Sequence, residues 1–142
     1  MMKKSVLYEV DTPLVVESCS IPTPRPNEVV VNLKAAALNH RDVWIQKGLY
    51  AGIVCPLTPG SDGAGTVSAS GENVDVAWRD RDVILNPSAF WGSNPAAHGS
   101  DFEILGLPRP GTHATHIAIP ADRLVAKPEA LSWVEAAALP LA

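Results

Sequence analysis

The sequence predicts a mainly β domain, a barrel of short strands with short helices at its margins. Thirteen prolines and ten glycines cut the 142 residues into short pieces, which suits strands and turns better than a helical bundle. The clearest periodic segment, residues 28–38, alternates by two. Val29, Val31, Leu33, Ala35 and Ala37 share one face, opposite Asn32 and Lys34. The glycines of "GSDGAG" run on into the strand-like "TVSASG", where they permit a tight turn and close backbone approach.

Taken in order, Ser5 to Val10 and Leu14 to Ser18 read as two strands joined by the turn Asp11-Thr12-Pro13. The proline-stiffened "IPTPRPNE" leads into the strand Glu28 to Leu38, whose alternation carries Asn39 to the buried side. His40 to Lys47 reads as a short helix. Asn39 stands at its N-cap, Asp42 three residues on completes a capping-box pattern, and Gly48 closes the end. Asp82 to Asn86, Thr112 to Ile119 and Leu124-Val125 are further strands. Between the first two, "PSAFWGSNPAAHGSDFEILGLPRPG" is long and turn-rich, so it is expected to form a lobe or lid. Ser132-Trp133-Val134-Glu135 is a second capping box, opening a helix that runs until Pro140. That helix is apolar nearly all round and needs cover on every side. It is therefore expected to pack against a further domain. Residues 1–130 are expected to form one domain and residues 131–142 to begin the connection to the next.

Composition narrows the function. A net charge of −4 gives no electrostatic footprint for nucleic acid or an anionic membrane. No apolar run approaches membrane-spanning length, and the start of the chain lacks the pattern of a signal peptide. Cys19 and Cys55 lie far apart without redox-motif spacing. A cytoplasmic protein with a small-molecule substrate is expected, with no nucleic-acid or membrane partner.

"GSDGAG" is not a dinucleotide fingerprint, because Ser68 stands where the third glycine belongs and strand, not helix, follows. His113 and His116 would point to opposite faces of a strand, and the two cysteines add no zinc-ligand spacing. Asn39 and Asp42 serve as helix caps. They also project polar groups from an apolar wall.

At these residues the sequence resembles the medium-chain dehydrogenase/reductase superfamily, in its catalytic GroES-like domain. The matching segments run in order through "PRPNEVVV", "AAALNHRD", "PGSDGAGTV", "DVILNPS", "PGTHATHIAIPADRLVAKP" and "LSWVEAAALPLA". The resemblance implies a GroES-like β-barrel, the catalytic domain of a two-domain enzyme whose Rossmann cofactor domain is absent from this sequence. It also implies NADPH as cofactor, held mainly by that absent domain, and a homo-oligomer when full length.

Zinc-dependent members carry a ligand cysteine where this sequence has Asn39 and a ligand histidine where it has Ser61. Only the acid survives, as Asp62, so zinc is not expected. The pattern is similar to the quinone oxidoreductase-like, zinc-independent branch, which places Asn, Asp and Tyr at the positions of Asn39, Asp42 and Tyr50. The implied activity is hydride transfer to a quinone, enone or related carbonyl. Asn39, Asp42 and Tyr50 form the catalytic set, and His40 lies toward the cofactor pyrophosphate. Trp44, Asp62 and Trp91 border the substrate. Arg41 replaces the proton-relay hydroxyl of the zinc relatives, and Asp80-Arg81 stands where Gly-Asp is usual. Two other readings remain at this point: a zinc-type alcohol dehydrogenase with altered ligands, and a non-enzymatic GroES-like binding module.

Overall fold

The strand Glu28–Ala37 is the one around which the rest is arranged. The computed structural model describes residues 1–141, so the last residue of the expected connection, Ala142, lies outside them. In chain order the strands are β1 (Met2–Val6), β2 (Val15–Cys19), β3 (Glu28–Ala37), β4 (Asp62–Ser70), β5 (Asp82–Leu85), β6 (Ser88–Ala89), β7 (Glu103–Leu105), β8 (Pro108–Arg109), β9 (His116–Pro120) and β10 (Leu124–Ala126). Helix α1 spans His40–Gln46 and α2 spans Trp133–Ala138.

The main sheet is antiparallel with order β10-β5-β4-β3-β9. Its register along β3 and β4 slips between Val30 and Val31 and again between Leu33 and Ala35. Such bulges bend a strand and raise its twist. The hairpin β1–β2 joins this body through single bridges, Lys4 with Ala114 and Leu7 with Leu57. Val29, Val31, Val67, Val83, Leu85, Ile117 and Ile119 form the principal core. Each such side chain contributes about 1.5–3 kcal/mol when fully buried.

Several expected boundaries move. The first hairpin starts at Met2, not Ser5, and Tyr8 to Val10 belong to the turn, where Asp11 adopts a φ of 59°. Leu7 explains the shift, because it leaves the hairpin register to pair with Leu57 and becomes fully buried. Val30 is as buried as its neighbours, so β3 has apolar cover on both faces. The strand expected over Thr112–Ile119 begins only at His116. Before it, Thr112 and His113 donate their backbone N–H groups to the Gly60 and Pro59 carbonyls.

The expected lobe is a small sheet of order β6-β7-β8, with an exposed loop across residues 91–101. At the Gly-Asp position, Asp80 takes the left-handed conformation, φ 58°, that a glycine would adopt freely.

Helix α2 opens on its expected capping box. Ser132 N–H donates to Glu135 Oε2 at 2.9 Å, and Glu135 N–H donates to Ser132 Oγ at 3.3 Å. Ala136 and Ala137 bury against Ala64 and Ile84 of the sheet. Val134 and Leu139 remain exposed, at 73% and 56%. The sheet thus covers one side of the helix and leaves the other bare.

Candidate functional site

The site forms where β3 ends and α1 begins. Asn39 is extended, with φ −120° and ψ 154°, and the chain then turns directly into helix. Asp42 makes that turn possible from inside. Its Oδ2 accepts the Asn39 backbone N–H at 2.8 Å, and its Oδ1 accepts the Gly60 N–H at 3.1 Å. One buried carboxylate therefore ties the helix start to the entrance of β4. His113 lies against it, with Nε2 4.0 Å from Asp42 Oδ2 and without a hydrogen bond to any described residue.

Gly60 is the tightest point of this junction. Its φ is +100°, and a Cβ there would stand 2.5 Å from the His113 ring and 2.6 Å from Thr112 Oγ1. Only glycine lets the three segments meet.

Asn39 donates its side-chain amide to Asp62 Oδ2 at 2.9 Å. Asp62 is 1% exposed, and its Oδ1 has no hydrogen-bond partner among the described residues. Burial pushes the Asp62 carboxyl above the usual carboxylate range. The Asn39 amide and the Leu141 backbone oppose that shift, and the neighbouring Asp42 charge adds to it.

Arg41 joins the remaining parts. Its Nη1 donates to Ser61 Oγ at 3.1 Å and to the Leu105 carbonyl at 2.9 Å, and its Nη2 donates to the Leu107 carbonyl at 2.9 Å. Its Nε donates to the Tyr50 hydroxyl at 3.4 Å, and the guanidinium lies 5.1 Å from the Tyr50 ring centroid. Ser61 itself is fully buried and donates to the Leu105 carbonyl at 2.8 Å.

Asn39, Asp42 and Asp62 are thus brought together directly, and Tyr50 is linked to them through Arg41. His40 is exposed at the first position of α1. Trp44 is 47% exposed on the same helix and does not border the depression beside Tyr50. Trp91 sits in the lobe, 42% exposed. Its ring meets Phe102 edge-on at 5.3 Å, and Phe102 does border that depression. His98 stacks on Phe102 at 4.7 Å, so it belongs to an aromatic cluster. The tethering by Arg41 and Ser61 and the approach of His113 were missed in the sequence. They join residues far apart in the chain, and no local spacing announces them.

An antiparallel β body with a polar junction where its central strand meets a short helix has the layout of a GroES-like catalytic domain. Residues 25–129 match the alcohol dehydrogenase GroES-like domain, and the chain belongs to that family. It is 36% identical to the zinc-type alcohol dehydrogenase-like protein YogA of Leptosphaeria maculans, across 97% of this chain and 41% of that protein. It is 32% identical to the trans-enoyl reductase tndF of Aspergillus flavipes, across 97% of this chain and 37% of that protein. The crystal structure of an NAD-dependent alcohol dehydrogenase superposes with a TM-score of 0.89 at 37% identity, over 98% of this chain and 43% of that one. The chain therefore spans about two-fifths of the length of these relatives.

The positions at which the family's zinc ligands fall do not fit that ion here. Asn39 presents an amide already donating to Asp62, and Ser61 Oγ faces the Arg41 cation. A zinc site of this kind draws on thiolate and imidazole as well as carboxylate. Among the described residues, no group of three or more His, Cys, Asp or Glu side chains could hold a metal ion.

Proposed function

We propose that this chain is the catalytic part of a nicotinamide-dependent oxidoreductase that passes hydride to a quinone, enone or related conjugated carbonyl without a metal. Residues 1–130 form the catalytic domain, and residues 131–142 begin the helix leading to a cofactor domain. The single observation that carries the reading is the Asn39–Asp62 hydrogen bond at a family metal position, beside the guanidinium of Arg41. The similarity to a trans-enoyl reductase agrees with it.

NADPH, held mainly by the cofactor domain, supplies the hydride when bound. The chain's own residues deal with the charge that appears on the substrate oxygen. Asn39 has a second amide hydrogen beyond the one given to Asp62. The Tyr50 oxygen accepts from Arg41, which leaves its own hydrogen free to donate. Two such donors stabilise a developing oxyanion. Asp42, with both oxygens engaged by backbone N–H groups, positions the helix start and does not itself move a proton. His40, exposed at the helix start, would help hold the cofactor's pyrophosphate. Trp91 backs the substrate side through Phe102.

Asn39→Ala in the full-length protein tests the reading. Turnover of quinones and enones should fall about 10²-fold, the loss expected for one oxyanion donor. Elemental analysis should find no stoichiometric zinc. Unchanged turnover, or one tightly held zinc per chain, overturns it.

A further inference from the structure

Arg41 is a partly buried cation that no carboxylate among the described residues pairs with. Its partners are a serine hydroxyl, two backbone carbonyls and a phenol, all neutral. None of the ion pairs among the described residues includes it. A guanidinium has five N–H groups and stays charged at any working pH. Four of the five are accounted for by these bonds. Withdrawing such a charge from water is costly without a counter-charge. An anion is the missing complement.

The space beside Arg41 has a shape to match. Arg41 and Tyr50 border a depression of about 440 Å³ whose other wall includes His98, Phe102 and Leu107. That volume lies toward the lower end of the roughly 300–1,000 Å³ usual for ligand sites. His98 and Phe102 stack with their planes 27° apart, and Trp91 braces Phe102 from the side at 81°. Among the described residues, Glu103 is the one carboxylate bordering the depression, and Arg109 pairs with it. Its charge is thus answered locally, and that of Arg41 is not.

We propose that this depression is a subsite for a planar conjugated substrate bearing a carboxylate, with the ring against His98 and Phe102 and the carboxylate on Arg41. The inference deepens the proposed reductase reading and rests on it for the word substrate. The binding itself stands on the unanswered charge and the aromatic wall.

Calorimetric titration of the full-length protein with trans-cinnamate and with the neutral isostere cinnamamide tests it. A charge-assisted contact should make cinnamate bind about tenfold tighter or more. Arg41→Met should erase that preference, and Phe102→Ala should weaken both ligands together. Equal binding of the two ligands to the parent protein overturns the subsite, whether or not Arg41→Met folds. So does a preference that survives Arg41→Met. No turnover is needed for these measurements. Cinnamate selectivity in a protein that reduces no conjugated carbonyl would keep the subsite and remove the reductase reading. Reduction without the selectivity would do the reverse.

Discussion

Asn39 donates a side-chain amide hydrogen to Asp62 Oδ2, 2.9 Å away and 23 residues along the chain. The bond engages one oxygen of a buried acid, whose other oxygen has no hydrogen-bond partner among the described residues. An unpartnered buried carboxylate oxygen is costly when the group is ionised.

Asp62 therefore makes stability depend on pH. Burial raises its carboxyl in the folded protein, so folding favours the protonated form. Its contribution is fully present below the ordinary Asp value of about 3.9 and is lost as pH rises through the raised value. Asp62→Asn keeps an oxygen to accept from Asn39 and removes the charge. At pH 7 the variant should melt above the parent, and the gap should narrow toward pH 3. Thermal unfolding across that range decides, and a parent that melts as high as the variant at pH 7 would contradict the account.

Gly60→Ala should be among the most damaging single changes in the chain. The new methyl would meet the His113 ring, the His113 backbone N and Thr112 Oγ1 at 2.5–2.7 Å, at a φ of +100°. Overpacking and backbone strain each cost about 1–3 kcal/mol, so a loss of roughly 3 kcal/mol or more is expected. Denaturant unfolding measures it, and a loss below about 1 kcal/mol would mean that the junction can yield.

Asp80→Gly should act in the opposite direction. Asp80 holds a φ of 58° in an exposed turn, where its Cβ is a burden. Glycine relieves that strain at some entropic cost, and a net gain of about 0.5 kcal/mol is expected in the same unfolding assay. A loss of stability would show that the aspartate side chain contributes more to the turn than its conformation costs.

Tyr50→Phe separates catalysis from folding. Tyr50 is 38% exposed, and among the described residues its hydroxyl bonds only to Arg41 Nε, at 3.4 Å. The melting temperature should hardly move, while turnover of quinones and enones falls about tenfold or more through loss of one donor. Steady-state kinetics with full-length protein reads this, and unchanged kcat would remove the phenol from the mechanism.

What the sequence made legible follows the range of the interactions involved. The period-two run of β3 and the boxes at Asn39–Asp42 and Ser132–Glu135 are local, and each appears where it was expected. The first hairpin slipped because Val6, Tyr8 and Val10 alternate as well as the true strand does. Only the distant pairing of Leu7 with Leu57 decides the register. The start of β9 was misplaced for a similar reason. Residues 112–113 look like strand, yet their N–H groups serve the Pro59–Gly60 carbonyls. At the site, Asn39, Asp42 and Asp62 could be chosen by type and position. The grip of Arg41 on residues 20, 64 and 66 positions away could not.

That grip constrains motion. A single side chain on α1 holds the carbonyls on either side of Gly106, so the base of the lobe is fastened to the helix that carries the donors. The two must travel as one body. Any breathing that admits or releases a ligand has to hinge farther out, in the exposed span of residues 91–101, leaving the reacting groups still while the rim moves.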